Sequence, residues 1–429
     1  RQVPSRAVRR YFGTDGVRGI AGEDLTEELV GRLGRAFARW TGGADVLVGR
    51  DTRGSGPALE SALASGLADG GSDVVLGGVL PTPAVALLAP GCGAVVSASH
   101  NPAAYNGVKF FGPGSRKMTD AEEEDVESHM SAESAPRPGA VDSADGLAAR
   151  YVGLVCERFG APLEGLRLAV DCANGAMFEV APAALGRLGA HLTVVGDRPD
   201  GRNINDGCGA TDLGLLTRTV RVGDFDLGVA FDGDGDRMLA VDGGGNELDG
   251  DAILAVLGPH LGVDVVAVTQ MTNLAFHRLM EERGVRVLTT PVGDRHVLEA
   301  LRRERAVLGG EQSGHVLYLD GHTTGDGLVA AILLARAVAE SGRSLADLAS
   351  AYRPFPQAKE NVRVSSRRIT PALAAEIAAV ERDLAGAGRV LVRPSGTEPV
   401  VRVLVEAETP QMAGKTCATI AALVKKELG

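Results

Sequence analysis

The sequence predicts an α/β protein of three similar mixed α/β domains, followed by a smaller C-terminal α+β domain. Three observations lead to this fold class. An apolar strand, a Gly/Asp-rich turn and a helix-like stretch follow one another several times along the chain. The 429 residues are enough for three or four domains. The composition also changes between the repeated segments, and the last part of the chain has a shorter and different pattern.

The repeated pattern is clearest where an apolar strand at residues 46–48 is followed by a turn at 49–56 and a helix at 58–67. It recurs at residues 166–190, 225–242 and 263–284. Strand, turn and helix in series predict parallel sheets with right-handed crossovers. The turns after the strands are then expected at one edge of each sheet, where ligands bind.

Changes in composition predict the domain boundaries. Residues 119–146 are acidic and then rich in Ser, Pro and Gly, which indicates a helix end and a linker. A Gly-rich turn at 242–253 and a proline-punctuated stretch at 352–364 separate the later segments, and a helix at 371–384, two strands and a final helix follow. We therefore expect four domains, at residues 1–142, 143–246, 247–356 and 357–429.

The composition also limits the class of protein. A net charge of −11, from 55 acidic and 44 basic side chains, argues against non-specific nucleic-acid binding. The five cysteines form no CxxC pair, which predicts reduced thiols in a cytoplasmic protein. No apolar run approaches the roughly 18 residues of a membrane helix, and the basic start has no apolar segment of a secretory signal. We expect neither a nucleic-acid nor a membrane partner.

The most specific motif is FDGDGDR at residues 231–237. Asp232, Asp234 and Asp236 alternate with glycines, so an extended backbone would point all three carboxylates to one side. Converging carboxylates repel one another unless a cation lies among them, and oxygen ligands favour Mg²⁺ or Ca²⁺. A solvated acidic turn is the alternative interpretation. An EF-hand fits poorly because Gly243 occupies the twelfth position. The motif therefore favours a metal site.

Ser99 lies in SASHNP, where an apolar strand breaks off before a second apolar run that contains Lys109. A serine at such a place is ordinarily a turn former. A GxSxG elbow is absent, so hydrolysis by a serine triad has no motif support. With His100 adjacent and a metal loop elsewhere, phosphoryl transfer fits better, because metal and cations neutralise the charge of the transferring group.

The segment RPSGTEP, between two predicted strands, has the composition of a phosphate-binding loop. A guanidinium, hydroxyls and exposed backbone amides suit a phosphate. The groups concerned belong to Arg393, Ser395, Gly396, Thr397 and Arg402. An ordinary hairpin explains the pattern equally well.

The segment GGEQSGH carries a carboxylate, a hydroxyl and an imidazole at alternate positions. Glu311, Ser313 and His315 would therefore share one face of an extended segment and suit the hydroxyl groups of a sugar. A structural histidine is the ordinary alternative, but the flanking glycines favour a binding loop.

Taken in order, seven motifs resemble those of the α-D-phosphohexomutase superfamily. They are FGTDGVRG, GRDTRGSG, SASHNP, NGVKFF, FDGDGDR, GGEQSGH and RPSGTEP, and they extend from residue 12 to residue 399. The resemblance implies four domains around a central cleft, each contributing one loop: the phosphoserine loop, the metal loop, the sugar loop and the phosphate loop, in chain order. TPVGDRHVLEAL and LGGEQSGH are most similar to members that act on glucosamine phosphates.

The resemblance also implies roles for individual residues. Ser99 would bear the phosphoryl group and, with Asp232, Asp234 and Asp236, bind Mg²⁺. Glu311 and Ser313 would contact the hexose, and the substrate's non-reacting phosphate would be held by Arg393, Ser395, Gly396, Thr397 and Arg402. The candidates for proton transfer and charge neutralisation are Arg18, His100, Lys109, Arg237 and His315.

The implied reaction interconverts glucosamine 6-phosphate and glucosamine 1-phosphate through a phosphoserine enzyme and a hexose 1,6-bisphosphate intermediate. The substrate would be a phosphorylated hexosamine, and the product would serve amino-sugar nucleotide and peptidoglycan synthesis. The resemblance leaves a homodimer open. Three alternatives stay open: the same chemistry on glucose or mannose phosphates, a metal-dependent sugar phosphatase, and a non-enzymatic sugar-phosphate or Ca²⁺-binding protein.

Overall fold

The computed structural model describes residues 10–13, 15–384, 386–395 and 398–429. Its packing divides the chain into two units. The first runs to Met271 and continues over Val285–Ala349, and the second comprises Thr272–Gly284 and Ser350–Gly429. Three sheets lie in the first unit and one in the second. No helix of the described part of the chain is both long and apolar enough to cross a membrane.

The first sheet has seven strands and is flanked by four helices. The strands are β1 (Val17–Ile20), β2 (Val46–Arg50), β3 (Val74–Val79), β4 (Cys92–Val96), β5 (Tyr105–Gly112), β6 (Arg116–Lys117) and β7 (Val141–Ser143). The helices are α1 (Glu27–Thr41), α2 (Gly56–Asp69), α3 (Thr82–Leu88) and α4 (Asp120–Ser128). The strand order is β1-β5-β4-β2-β3-β7, with β6 beside β5. Strands β4, β2, β3 and β7 are parallel, whereas β5 is antiparallel to its neighbours.

The second sheet has five strands in the order β12-β11-β10-β8-β9. Their bounds are β8 (Arg167–Asp171), β9 (His191–Val195), β10 (Leu227–Phe231), β11 (Met238–Asp242) and β12 (Glu247–Leu248). The helices of this part are α5 (Leu147–Phe159), α6 (Met177–Arg187) and α7 (Gly214–Val222). Strands β9, β8 and β10 are parallel, and β11 is antiparallel to β10.

The third sheet has four strands in the order β14-β13-β15-β16. Their bounds are β13 (Val265–Thr269), β14 (Arg286–Thr290), β15 (Leu308–Gly310) and β16 (Val316–Tyr318). Helices α8 (Gly250–Leu261), α10 (Asp294–Glu304), α11 (Gly327–Ser341) and α12 (Leu345–Ala349) belong to this part of the first unit, whereas α9 (Leu274–Glu282), between β13 and β14 in the chain, belongs to the second unit. Strands β14, β13 and β15 are parallel, and β16 is antiparallel to β15.

The second unit contains a three-stranded antiparallel sheet in the order β17-β19-β18. Its strands are β17 (Gln357–Arg363), β18 (Gly388–Pro394) and β19 (Val400–Ala407), and its helices are α13 (Pro371–Arg382) and α14 (Pro410–Leu428). One apolar core joins the sheet to both helices. This is the small α+β domain that the sequence predicts.

All four sheets place a candidate loop between a strand and its antiparallel neighbour. The loops are β4–β5 with Ser99, β10–β11 with the aspartates, β15–β16 with Glu311, and β18–β19 with Ser395. Strands β4 and β10 are buried along their whole length, so they support their loops rigidly.

Two sequence predictions are wrong in detail. The first three sheets are mixed rather than purely parallel, and residues 238–242 form strand β11 rather than a helix. The β4–β5, β10–β11 and β15–β16 loops are too short for the crossover connection that joins two parallel strands. The strand after each loop therefore runs antiparallel to the strand before it. Residues 119–146, predicted as a helix end and a linker, contain α4, whose capping box joins Thr119 and Glu122, and also strand β7, which extends the first sheet.

Candidate active site

Ser99 occupies a buried turn with a left-handed backbone. Its φ is +52°, which is uncommon for a residue other than glycine, and the residue is 1% exposed. The Ser99 hydroxyl donates to Asp232 Oδ2 at 2.5 Å and lies 3.3 Å from Nδ1 of His100. The Ser99 N–H donates to Ser97 Oγ at 2.9 Å, and Ser97 in turn donates to Asp51 at 2.6 Å. The turn therefore holds the Ser99 oxygen against the aspartate loop.

Arg53 fixes the backbone of the same turn through hydrogen bonds to its carbonyl groups. Its guanidinium is buried and donates to the carbonyls of Ser99 at 2.9 Å, Asn101 at 2.7 Å and Tyr105 at 2.8 Å, and also to that of Pro102. A planar guanidinium with five donors suits such a set of carbonyls. Arg53 lies in the motif GRDTRGSG, but its role is not visible in the sequence, because the carbonyls it binds lie some fifty residues further along the chain.

The aspartate loop brings three carboxylates together. One ligand oxygen from each of Asp232, Asp234 and Asp236 lies within 4.8 Å of the others, and all three residues are buried. The loop is a tight turn rather than the extended segment that alternation suggested, and Gly235 has a φ of +75°. The predicted convergence is therefore correct, but a glycine-dependent turn produces it.

The donors around these carboxylates leave two buried oxygens without a hydrogen bond, although Arg237 Nε lies 3.9 Å from one of them, Asp236 Oδ1. Asp234 Oδ2 accepts from Thr82 at 2.6 Å and from Lys109 at 2.8 Å, and Asp236 Oδ2 accepts from Lys109 at 2.9 Å. The other oxygens, Asp234 Oδ1 and Asp236 Oδ1, are buried and accept no hydrogen bond from the described residues. Buried polar atoms are ordinarily paired, so the two oxygens fit a missing ligand. Hard carboxylate oxygens in this arrangement fit a divalent cation.

The electrostatics also fit a cation. Burial, together with the carboxylates of Asp236 and Asp234, raises the pKa of Asp232 well above its ordinary value. Burial acts in the same direction on Asp236, but Lys109, His315 and Arg237 lower its pKa below the ordinary value. A divalent cation would relieve the repulsion that opposes ionisation of Asp232.

Lys109 is buried at the centre of a network of buried and half-buried charges. Besides the two aspartates, its ammonium lies 2.9 Å from Asp15, which also pairs with Arg18 at 2.7 Å and Lys117 at 2.8 Å. Burial favours the neutral amine, yet Asp15, Asp234 and Asp236 together hold the pKa of Lys109 well above its ordinary value. Lys117 also pairs with Asp294.

Sequence reasoning did not assign roles to Asp15, Lys117 or Asp294. Asp15 and Asp294 lie within the motifs FGTDGVRG and TPVGDRHVLEAL, and these motifs are the only sequence signal that points to them. Asp15 meets Lys109, and Asp294 meets Lys117, only through packing between parts of the chain far apart in sequence.

A pocket of about 430 Å³ opens beside His100, the neighbour of Ser99, and beside Asp236 and Arg237 of the aspartate loop. Its size is within the range of small-molecule sites. It is lined by Tyr11, Gly13, Asp15, Gly16, Arg18, His100, Asp236, Arg237, Val292, Gly293, Asp294, Glu311, Ser313 and His315. Burial, with the nearby charges of Arg237 and Arg18, lowers the pKa of His100 to about 4, so its ring is neutral near pH 7.

The sugar loop reaches this pocket from the third sheet. Glu311, Ser313 and His315 all line the pocket, although they lie in a β15–β16 hairpin turn and not in an extended segment. Glu311 Oε1 accepts from the N–H of Gly293 at 3.1 Å, and His315 Nε2 lies 3.7 Å from Asp294. The structure thus brings together Ser99, the three aspartates, the predicted basic groups and the sugar loop.

The predicted phosphate loop lies in the second unit. Arg393 and Arg402 stand opposite each other on β18 and β19, and burial together with Arg402 lowers the pKa of Arg393. Two facing guanidiniums favour an anion between or beside them. Ser395 Oγ accepts from the N–H of Glu398 at 3.2 Å, and Arg402 pairs with Glu398 at 2.9 Å. The other two predicted residues, Gly396 and Thr397, lie outside the described residues.

Four family models of phosphoglucomutase/phosphomannomutase match the chain: α/β/α domain I at residues 9–137, domain II at 151–245, domain III at 249–355 and the C-terminal domain at 333–423. A solved phosphoglucomutase/phosphomannomutase family protein from Burkholderia thailandensis superimposes with a TM-score of 0.83, at 26% identity over 96% of each chain. The chain belongs to the phosphoglucomutase/phosphomannomutase family and is an enzyme of the phosphohexomutase class, an isomerase that transfers a phosphoryl group.

Two curated relatives are more similar in sequence, and both are named phosphoglucosamine mutase. The protein of Desulforudis audaxviator is 47% identical over 94% of this chain and 95% of its own length. That of Pelotomaculum thermopropionicum is 46% identical over 92% of this chain and 94% of its own length.

Proposed function

We propose that the chain interconverts glucosamine 6-phosphate and glucosamine 1-phosphate, with Ser99 as the carrier of the phosphoryl group. The observation that carries the proposal is the 2.5 Å contact of Ser99 with Asp232, beside two buried carboxylate oxygens that lack donors. Similarity to phosphoglucosamine mutases over nearly the full chain supports the choice of sugar. All five cysteines are free thiols, which supports a location of the enzyme in the reducing cytoplasm.

In this proposal Mg²⁺ is held by Asp232, Asp234, Asp236 and an oxygen of phosphorylated Ser99. When bound, the ion neutralises charge on the phosphoryl group during transfer. Lys109 keeps two of the carboxylates in place from the other side, at 2.8 and 2.9 Å. The left-handed turn holds the Ser99 oxygen at one fixed point next to these ligands.

The transfer step breaks the bond between phosphorus and Ser99 Oγ and forms a bond to the free hydroxyl of the sugar. The proton of that hydroxyl needs an acceptor, and the released Ser99 oxygen needs a proton. We assign both transfers to the neutral ring of His100, whose Nδ1 lies 3.3 Å from Ser99 Oγ, so the proton taken from the sugar is returned to the serine. Arg18 and Arg237 line the same pocket and stabilise the charge of the phosphoryl oxygens.

The pocket lining suits an amino sugar. Glu311, Ser313 and His315 offer acceptors and donors to the hexose hydroxyls. Asp15 and Asp294 are already paired with Lys109 and Lys117, so we assign the substrate's ammonium group to Glu311, which lines the pocket without an ion pair to a basic side chain among the described residues.

The phosphate loop holds the end of the sugar that does not react. We assign this to Arg393, Ser395 and Arg402, together with Gly396 and Thr397. After the first transfer the sugar carries two phosphates as a hexose 1,6-bisphosphate. It turns around and returns the other phosphoryl group to Ser99, so one fixed serine serves both ends of the sugar.

A coupled assay with the 1-phosphates of glucosamine, glucose and mannose tests the substrate. We expect the highest kcat/KM for glucosamine 1-phosphate, by about tenfold or more, because replacing a bound ammonium by a hydroxyl leaves a carboxylate poorly paired. If glucosamine ranked last, the assignment of the substrate would be wrong. Release of inorganic phosphate without isomerisation would indicate a phosphatase instead.

Gly233→Ala tests the fit between the serine turn and the aspartate loop. A Cβ at residue 233 would lie 2.6 Å from the carbonyl oxygen of Ser99, a backbone atom that has little freedom to move. We expect kcat to fall by about tenfold or more, since a displacement of the serine by a fraction of an ångström misaligns transfer. Gly186→Ala in α6 is the matched control, because its Cβ meets only Leu192 at 3.8 Å. Equal kcat values of the Gly233→Ala and Gly186→Ala variants would contradict the claim that transfer depends on the close packing of Gly233 against the serine turn.

A further inference from the structure

Backbone strain is concentrated around the serine turn. Six non-glycine residues of the described chain have positive φ, and four of them, Ser99, Ala173, Asn174 and Asn205, belong to the serine turn or to the two loops beside the aspartate loop. Such conformations persist only where the surrounding structure fixes them, and they are common at functional sites.

Asn205 is the member of this group that contacts the serine turn directly. Its side-chain amide donates to the carbonyl of Ser99 at 3.0 Å and to that of Asn101 at 3.2 Å. Its own N–H donates to Ala173 at 2.9 Å, which fixes the left-handed Asn205 backbone. Asn205 lies between β9 and β10 of the second sheet, whereas Ser99 lies between β4 and β5 of the first. This amide therefore joins two domains at the reacting serine.

The aspartate loop contacts the same point. A Cβ on Gly233 would lie 2.8 Å from Nδ2 of Asn205 and 2.6 Å from the carbonyl oxygen of Ser99. The backbone of Gly233 also accepts from Ala176 at 2.8 Å, so the aspartate loop is tied to the second sheet. Asn205, Ser99 and Gly233 thus meet with no space for another group.

We propose that Asn205 is a positioning residue that sets the distance between the Ser99 oxygen and the three aspartates. The inference rests on the proposed function, since it assumes that Ser99 carries the phosphoryl group. Arg53 donates to the carbonyls of Ser99 and Asn101 as well, but from the first sheet, so it maintains the shape of the turn. Asn205 maintains the location of that turn relative to the aspartate loop.

This division of roles predicts an effect on transfer and not on sugar binding. Asn205 does not line the pocket that Glu311 and Ser313 share. Loss of its amide leaves the sugar contacts intact and allows the serine turn to move relative to the aspartates. We therefore expect kcat to fall by about 10- to 100-fold, with KM for the sugar phosphate changed by less than about twofold.

Two substitutions separate the amide from the backbone conformation. Asn205→Gly removes the side chain, and glycine accepts the φ of +58° without strain. Asn205→Asp keeps the shape and replaces the donor by an acceptor that faces two carbonyls. Asn174→Gly is the matched control: its φ is +48°, and its side chain bonds to the backbone of Asn203 and Arg198 rather than to the serine turn.

The experiment measures kcat, KM and the single-turnover rate of phosphoryl transfer from the phosphorylated enzyme. It also records the phosphorus NMR signal of phosphorylated Ser99 during a Mg²⁺ titration, a readout that a general loss of stability does not move. We expect both Asn205 variants to transfer slowly and to need more Mg²⁺ to shift the signal, with Asn174→Gly near the unaltered enzyme. Transfer by Asn205→Gly within about twofold of the unaltered enzyme, or an equal defect in Asn174→Gly, would overturn the proposal.

The Ser99→Ala variant separates this inference from the proposed function. If Ser99→Ala were active, the proposed function itself would fail. If Ser99→Ala were inactive while both Asn205 variants behaved like the unaltered enzyme, only the positioning role would fail.

Discussion

Replacing Ser99 by alanine is expected to lower kcat by about a thousandfold or more, because the mutase then has no oxygen to carry the phosphoryl group. The fold should survive the change. Alanine keeps the Cβ, so the strain of the left-handed backbone at +52° is the same as in the native turn. The turn also keeps its bonds to Arg53 and to Ser97, which involve only the Ser99 backbone.

Steady-state turnover in the presence of hexose 1,6-bisphosphate, with the thermal midpoint of unfolding as the check on folding, measures this effect. Ser128→Ala is the control, since its exposed hydroxyl contacts only local groups among the described residues, the carbonyl of Asp125 and Nδ1 of His129. Turnover of Ser99→Ala within about tenfold of the native rate would be incompatible with a phosphoserine mechanism.

Asp236→Asn is expected to weaken Mg²⁺ binding by about tenfold or more and to lower kcat by about a hundredfold. The change removes one negative charge from a group of three buried carboxylates and turns an oxygen without a donor, Oδ1, into part of an amide. It also weakens the ion pair with Lys109 at 2.9 Å. Because the amide is nearly the size of the carboxylate, packing should change little.

Mg²⁺ titrations of activity, and calorimetric titration of the phosphorylated protein, measure the effect. The control is Asp224→Asn, which alters a carboxylate that is 92% exposed and pairs only with Arg167 at the surface. A chelator should abolish the activity of the unaltered enzyme, and added Mg²⁺ should restore it. An unchanged Mg²⁺ requirement in Asp236→Asn would show that the aspartate loop does not hold the metal.

The positions of the functional loops can be predicted from the sequence, whereas the structure of the segments that follow these loops cannot. Ser99 and the aspartates stand at the ends of buried apolar strands, a local pattern that is visible without any contact information. That β11 returns antiparallel, rather than leading into a helix, depends on the pairing of Leu227 with Asp242 and their neighbours. Short apolar runs after a turn do not distinguish these outcomes.

The remaining parts of the site depend on contacts between distant residues. Gly233 is required because the carbonyl of Ser99 approaches it, and Arg53 matters because it reaches the same carbonyl. The charges of Asp15 and Lys117 become part of the site only through Lys109 and Asp294. The composition of each motif indicated a functional loop, whereas the geometry of neighbouring domains decides which side chains meet there.

The most direct test of the central claim is peptide mass spectrometry of the protein after incubation with hexose 1,6-bisphosphate and Mg²⁺. We expect one phosphate, on the peptide that contains Ser99, and its loss when glucosamine 6-phosphate is supplied in excess as the acceptor without bisphosphate. A fully active enzyme with no phosphate on Ser99 at any stage would contradict it.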